Sequence, residues 1–271
     1  MIQKAPVRAG ECVAELIGTF ILVFFGIGSV HVAVLLGGYA GLWQVAIIWG
    51  IGVGLAIYAT AAVSGAHLNP AITVAFAAYR KFPLNKIAPY ILSQLVGAIA
   101  AAGILYMFFH NIIINFEATH GIIRGQSGSE LSAMIFGEYF PNPAMIGVSA
   151  KAYFLISPFQ AMLAEAIGTA FLAFFIFALT DDHNSRRPNA APLFIGLAVS
   201  IIICIIAPLT QAGLNPARDF GPRIFAYLAG WHRIAIPGPR GGFFSVYILA
   251  PIFGALLGAG VYQYLISKKS T

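Results

Sequence analysis

Long apolar stretches separated by short polar ones dominate the chain. Four stretches lack Asp, Glu, Lys and Arg: Leu16 to Tyr79, Ile87 to Phe116, Pro188 to Ala217, and Gly241 to Ser267. A helix crosses the hydrocarbon core of a bilayer with about 20 apolar residues, so the first stretch holds more than one span. Gly37, Gly38 and Gly41 mark its break. The pattern predicts six spans, at about 9–36, 42–62, 86–110, 159–180, 190–208 and 243–266.

Composition supports a protein that crosses the membrane several times. The chain is 59% hydrophobic and only 9% charged, whereas a soluble domain carries roughly 25% charged residues. The same numbers exclude a disordered chain. A net charge of +6 could suggest nucleic acid as a partner, but the basic residues are scattered at segment ends and form no stripe. We therefore expect the chain to lie in a lipid bilayer and to have no nucleic acid as a partner.

The distribution of Lys and Arg orients the spans. Four polar segments carry most of them: Lys4 and Arg8; Arg80, Lys81 and Lys86; Arg186 and Arg187; Lys268 and Lys269. With six spans these segments share one face, which the positive-inside rule makes cytoplasmic. Both termini are then expected in the cytoplasm, and the longest connection, about 111–158, is expected outside the cell.

An internal repeat divides the chain into two halves. The string Ala14-Glu15-Leu16-Ile17-Gly18-Thr19 matches Ala164-Glu165-Ala166-Ile167-Gly168-Thr169 at an offset of 150 residues, and Leu68-Asn69-Pro70-Ala71 matches Leu214-Asn215-Pro216-Ala217 at an offset of 146. The halves, about 9–110 and 159–266, each hold three spans and one short segment within a single domain, 1–271. Since three crossings are an odd number, the halves are related by inverted topology, as in many transport proteins.

Each short segment begins with Asn-Pro-Ala, after Asn69 or Asn215, and is too short to cross. Asn is a good helix cap and Pro suits the first helical turn, so each motif predicts a helix start. Because the repeat is inverted, the two helix N-termini are expected to face each other near the membrane midplane. Non-helical backbone at that depth is tolerated only if it lines a water-filled cavity or is buried in protein.

The doubled motif resembles the aquaporin (major intrinsic protein) family over nearly the whole chain. The resemblance rests on Ser-Gly-Ala-His-Leu-Asn-Pro-Ala at 64–71 and Asn-Pro-Ala-Arg-Asp-Phe-Gly-Pro-Arg at 215–223. Asp219, Arg223 and Pro251-Ile252 are most similar to the glycerol facilitator (aquaglyceroporin) branch. The resemblance implies an all-α membrane protein: six tilted transmembrane helices and two re-entrant half-helices around one pore, four chains forming a homotetramer, and no enzymatic activity, cofactor or metal site.

The resemblance places the two motifs in the pore: Asn69, Pro70, Ala71, Asn215, Pro216 and Ala217. The asparagine amides and the positive ends of the two helix dipoles would favour a polar oxygen and oppose a cation. The loops before the motifs would turn backbone carbonyls into the pore, from Gly65, Ala66, His67 and Leu68 and from Ala212, Gly213 and Leu214.

Glu15 and Glu165 lie inside apolar helices, where an unpaired charge costs several kcal/mol. The family resemblance implies that they accept hydrogen bonds from the N–H groups of the two loops. A proton relay is the alternative. His67 is interpreted as a hydrogen-bonding wall residue, with metal ligation as the alternative; the six histidines show no pair at a metal-binding spacing.

By resemblance, the selectivity filter consists of Trp49, Ile203, Ala212 and Arg218. Trp49 would give a flat apolar wall, and the guanidinium of Arg218 would donate to solute oxygens and repel cations. The alternatives are a packing role for Trp49 and a loop-fixing role for Arg218. Glycerol facilitators have an aromatic residue at the position of Ala212 and glycine at that of Ile203; the combination found here is similar to that of the nodulin-like plant branch of the family.

These features predict a passive channel in a bacterial or archaeal plasma membrane for glycerol and related small neutral solutes, with some water, excluding ions and protons. A channel of the same fold for water, or for urea, lactic acid, ammonia or metalloid hydroxides, is the first alternative. A proton-coupled transporter is the second, and only Glu15 and Glu165 could serve it. The sequence shows no nucleophile–base arrangement that would make an enzyme.

Overall fold

The computed structural model describes residues 6–184 and 188–267, and its regular elements in that part are all helical. Six helices are long and apolar enough to cross a membrane, which confirms the predicted number of spans. They are Ala9–Leu36 (α1), Leu42–Ser64 (α2), Leu84–Thr119, Pro158–Leu179 (α7), Ala191–Thr210 (α8) and Ser245–Ile266. The third is a single 3₁₀ turn followed by α4 (Ile87–Thr119). The last contains α10 (Ala250–Val261) between wider, π-type turns.

The prediction for the third span was wrong at its end. Residues 111–119 continue α4 instead of beginning the connection. From Ile104 to Thr119 the chain has neither Gly nor Pro, so nothing stops the helix until the ion pair of Glu117 with Arg124, at 2.8 Å, fixes the turn that follows. The connection therefore covers 120–157, with short helices α5 (Glu130–Ala133) and α6 (Ala150–Leu155). The other span boundaries agree within about two residues, as expected for helix ends.

Two short helices start inside the bundle and run in opposite directions. They are α3 (Pro70–Tyr79) and α9 (Pro216–Ala226). At the end of α3, Arg80 Nη2 donates to Phe177 O at the end of α7, over 3.1 Å. Near the end of α9, Arg223 donates to the Glu138 carbonyl oxygen of the long connection. We call these half-helices, because neither can cross a bilayer alone.

The half-helices point to two different faces of the bundle. The face at which α1 begins is called the terminal face; there Lys86, before α4, pairs with Glu11 at the start of α1, at 2.8 Å. Arg8, Arg80 and Lys81 share that face, as predicted; Lys4, Arg186, Arg187, Lys268 and Lys269 lie outside the described residues. The connection face carries residues 120–157.

Equivalent helices of the two halves cross at equivalent glycines. Gly50 of α2 and Gly196 of α8 are 146 residues apart, the same offset as the two motifs. A Cβ atom on Gly196 would lie 2.1 Å from Gly50 O, and one on Gly50 would lie 2.4 Å from Gly196 O. Backbones approach this closely only where side chains are absent, which is a common device for packing helices in membranes. The contact holds the two halves together at the centre of the bundle.

Asp181 joins the ends of α7 and α10 on the terminal face. Its Oδ2 accepts hydrogen bonds from the Tyr262 hydroxyl and the Ser267 hydroxyl, both at 2.9 Å. Its Oδ1 accepts from the His183 backbone N–H at 3.0 Å. Burial alone would raise the pKa of Asp181, but these hydrogen bonds outweigh it and lower the pKa from 3.8 to about 2.

This carboxylate gives a pH-dependent contribution to stability. A pKa that is lower in the folded chain stabilises it above the unfolded value, and the contribution is lost as the pH falls from 3.8 to about 2. We expect Asp181→Asn to lower the unfolding temperature in detergent at neutral pH. The difference from the unsubstituted chain should shrink as the pH approaches 2. A difference that stays constant over this pH range would contradict the assignment.

Candidate functional site

The two loops that precede the half-helices share an unusual backbone. Each follows a long helix and contains non-glycine residues with positive φ at alternate positions: Ala66 (49°), Leu68 (51°), Ala212 (58°) and Leu214 (55°), with Gln211 (62°) ending α8. Each such residue in the left-handed region costs about 1–3 kcal/mol and persists only where the surroundings hold it. Each loop therefore needs neighbouring groups that hold its backbone in place.

A buried carboxylate holds the first loop. Glu15 of α1 is fully buried. Its Oε1 accepts from the His67 backbone N–H at 2.9 Å, and its Oε2 accepts from the Leu68 N–H at 2.8 Å. Ser64 Oγ and Gln94 Nε2 complete its shell, each at 2.7 Å. Four donors around one buried carboxylate offset much of the cost of removing it from water.

The second loop repeats this arrangement. Glu165 of α7 accepts from the backbone N–H groups of Gly213 at 2.8 Å and Leu214 at 2.7 Å. Thr210 Oγ1 donates to the same carboxylate at 2.5 Å. Both glutamates lie behind the loops they hold, with their oxygens turned to backbone N–H groups. This geometry favours loop support over a proton relay.

Sequence reasoning missed the hydroxyl groups of this framework. Ser64 and Thr210 are the last residues of α2 and α8, and each donates to its half's glutamate. Their backbone carbonyls accept from the Tyr90 and Tyr247 hydroxyls, both at 3.0 Å. The repeat could have revealed one pair, because Ser64 and Thr210 stand 146 residues apart, as the motifs do.

The asparagines of the two motifs cap their own helices and bridge to the opposite loop. Asn69 Oδ1 accepts from the Ala71 N–H at 2.8 Å, and its Nδ2 donates to Leu214 O at 3.0 Å. Asn215 Oδ1 accepts from the Ala217 N–H at 3.0 Å, and its Nδ2 donates to Leu68 O at 2.8 Å. The half-helix N-termini therefore meet. Each amide keeps one N–H hydrogen beyond these bonds.

Two cavities meet along the axis between the loops. The first, the chamber, has a volume of about 100 Å³ and reaches Thr180 near the terminal face. The second, the vestibule, has a volume of about 310 Å³ and is lined in part by the connection, on the opposite side of the bundle from the terminal face. Trp49, Ile203 and Arg218 line both, so the passage narrows between them.

Most of the predicted site residues line this passage. The chamber wall includes Trp49, Gly65, Ala66, His67, Leu68, Asn69, Ile203, Ala212, Gly213, Leu214, Asn215 and Arg218. Pro70, Ala71, Pro216 and Ala217 are buried in the first turns of the half-helices instead. The structure thus brings the four predicted filter residues to one place. Among the described residues, no group of three His, Cys, Asp or Glu side chains could hold a metal ion.

Arg218 is fixed at the narrow point by three neighbours. Its Nη2 donates to Ala212 O at 3.0 Å. Its Cζ lies 4.2 Å from the centre of the Trp49 ring, a cation–π contact. Its Nη1 forms an ion pair with Glu138 of the connection. Ala212 therefore contributes a backbone carbonyl here, where an aromatic residue would contribute a ring.

The connection takes part in the site, which sequence reasoning did not predict. The Glu138 backbone N–H donates to Asp219 Oδ1 at 2.8 Å, and Asp219 also accepts from Arg223 Nε at 2.7 Å. The Gln211 side chain accepts from the Tyr139 N–H at 2.9 Å and donates to Met134 O at 3.1 Å. Charged residues inside a membrane helix need partners, and Asp219 and Arg223 were therefore a signal that could have pointed to this clamp.

A bundle of membrane-spanning helices, with two half-helices meeting over a lined passage, is a transmembrane channel. The chain belongs to the major intrinsic protein family, whose model matches residues 2–262. Over 99% of its length it is 44% identical to a glycerol uptake facilitator protein of Shigella flexneri and to one of Pseudomonas aeruginosa, covering 92% and 93% of those proteins. A propanediol uptake facilitator of Citrobacter freundii is 43% identical over 95% of the chain and 92% of that protein.

Among solved structures, the aquaglyceroporin from Plasmodium falciparum superposes with a TM-score of 0.79 at 26% identity, covering 95% of this chain and 96% of that one. The sequence-based recognition of the family and its fold is confirmed. As a member of this family the chain is a passive channel, and not an enzyme.

Substituting the buried glutamate of the second loop tests its supporting role. In Glu165→Gln one acceptor oxygen becomes an amide that faces a backbone N–H, so Gly213 or Leu214 loses its partner. We expect a loss of about 1–3 kcal/mol in the free energy of unfolding, measured by denaturation in detergent. Asp182→Asn is the control, because Asp182 is exposed on the terminal face and an exposed charge should contribute about 1 kcal/mol or less. Equal losses for the two variants would contradict a special role for Glu165.

Proposed function

We propose that the chain conducts glycerol and related small neutral solutes passively, with some water, and excludes ions and protons. The observation that carries this proposal is the mixed lining of the passage. Its polar part consists of the loops, the Asn69 and Asn215 amides and Arg218; its apolar part includes Leu22, Val53, Ile72, Leu172, Val199 and Ile203. A polyol suits such a wall, because its hydroxyls and its carbons lie on opposite edges. The names of the similar uptake facilitators support the same solute class.

The half-helix N-termini would exclude cations. Two helix dipoles place their positive ends at Asn69 and Asn215, where the free amide hydrogens donate to a passing oxygen. A water or hydroxyl held there donates outward to carbonyls on both sides, which interrupts a proton-conducting chain of waters. The similarity to an aquaglyceroporin supports a pore that carries water as well as glycerol.

The composition of the predicted filter favours a solute of polyol size over a water-selective pore. Ala212 removes an aromatic wall and Ile203 refills part of the space, giving an apolar opening wide enough for a polyol. A water-selective pore would need a narrower, more polar opening. Urea, undissociated lactic acid, ammonia and metalloid hydroxides fit the same opening and remain the alternative solutes. Proton-coupled transport is disfavoured by the position of Glu15 and Glu165 behind the loops.

We also propose a homotetramer in the inner membrane of a prokaryote, with both termini in the cytoplasm. The described chain exposes many large apolar side chains on its helices, including Phe108, Ile205 and Leu265. Lipid and neighbouring subunits would cover them. The basic residues of the terminal face support the orientation, and the bacterial relatives support the membrane.

Stopped-flow light scattering on proteoliposomes tests the solute directly. We expect fast glycerol entry with a low activation energy, since a pore removes the cost of leaving water. Ala212→Phe should narrow the opening, so that larger polyols are slowed more than glycerol. Shrinkage in an impermeant osmolyte gives the water flux of the same vesicles. Fast water flux without glycerol entry would overturn the proposal, and equal slowing of all polyols would remove Ala212 from the filter.

A further inference from the structure

The floor of the vestibule carries two opposite charges in contact. Glu138 and Arg218 both line it, and both are at least nine-tenths buried. Their ion pair makes this point of the passage electrically neutral. The other walls of the vestibule are mostly apolar, including Val30, Leu42 and Ile203. Charges in such a low-dielectric cavity act strongly on a molecule that enters it.

The Glu138 carboxylate has no other ionic partner within the described residues. The backbone of Glu138 is held by Asp219 and Arg223, which form their own ion pair. The side chain is free of that clamp, and no hydrogen bond to its Oε2 exists in the part of the chain that the structure describes. The clamp therefore positions a carboxylate whose counterpart is Arg218.

The surrounding face is rich in cations. Lys151 and Arg233 are exposed and have no ion pair within the described residues, and Arg240 donates only to the backbone carbonyls of Phe140 and Ile156. Of the other carboxylates on this face, Glu117 and Asp219 are paired with Arg124 and Arg223, and Glu130 is buried with hydrogen bonds from the Gly128 N–H and the Tyr153 hydroxyl. This face attracts anions toward a passage whose narrow point contains a guanidinium group.

We propose that Glu138 is a specificity-determining residue that keeps anions out of the passage. An unpaired guanidinium at the vestibule floor would bind a planar anion through its fork of N–H donors. The anion would then occupy the narrow point and block neutral solutes. With the carboxylate in place, an anion meets a like charge at the same point, whereas a neutral solute still reaches the remaining donors of Arg218.

The test measures solute flux with nitrate, a small planar anion, at equal concentration on both sides of proteoliposomes. Glycerol flux through the unsubstituted chain should be nearly insensitive to nitrate. In Glu138→Gln the half-blocking nitrate concentration should fall by about tenfold or more, because the like charge is gone. Glu138→Asp keeps the charge and should restore the insensitivity.

Glu130→Gln is the matched control. Glu130 is also a buried glutamate of the connection, but its oxygens accept from the Gly128 N–H and the Tyr153 hydroxyl, away from the vestibule. Glycerol flux through the Glu130→Gln variant should remain insensitive to nitrate. Nitrate-insensitive flux through Glu138→Gln, or equal block of both variants, would overturn the proposal.

A second variant reverses the charge that remains. In Arg218→Gln the Glu138 carboxylate loses its counter-charge. Glycerol flux through this variant should therefore be insensitive to nitrate and be blocked by guanidinium at low concentration. If Glu138→Gln does not fold, this variant decides, and flux indifferent to guanidinium would contradict the proposal. This inference rests on the proposed function only because glycerol flux is the quantity that is measured. If the chain carries water but not glycerol, the titrations are made on water flux, and the two failures remain distinguishable.

Discussion

The pore depends on two carboxylates buried behind it. Glu15 and Glu165 each accept hydrogen bonds from two backbone N–H groups of a loop that contains residues in the left-handed region. Without these acceptors, the loops would hold strained residues and unsatisfied N–H groups at membrane depth, which is tolerated only where partners exist. Because these N–H groups point away from the passage toward the glutamates, the opposite side of each loop can line the passage. The two loops are joined by equivalent hydrogen bonds, in which the Asn69 and Asn215 side chains each donate to the opposite loop.

The same principle applies to the four predicted filter residues, among which the buried charge of Arg218 is positioned by partners outside its own helix. Arg218 belongs to α9, yet Trp49 comes from α2 and Glu138 from the connection. Removing the Arg218 guanidinium from water is costly unless it is compensated; Ala212 O accepts a hydrogen bond from it, and Glu138 supplies the opposite charge. The connection is thus a part of the channel mouth, held by the Asp219–Arg223 pair.

Local sequence signals predicted the fold and most of the lining. Apolar length gave the spans, and the repeat with its two capped motifs gave the half-helices. The end of α4 was missed because the prediction counted only the length needed to cross the bilayer, although no residue before Gly121 breaks the helix. Glu138 and Gln211 were missed because their partners are distant in sequence, 80 residues away for Glu138 and Arg218. Residue type alone cannot reveal such a pairing.

Residue-by-residue hydrogen exchange of the two loops tests the central claim most directly. The amides of His67, Leu68, Gly213 and Leu214 belong to residues that line the passage, yet each donates to a buried glutamate. They should exchange as slowly as amides in the centres of the long helices, since exchange requires the loop to leave its carboxylate. Exchange at the rate of an unprotected loop, with the helices still protected, would show that the glutamates do not hold the pore.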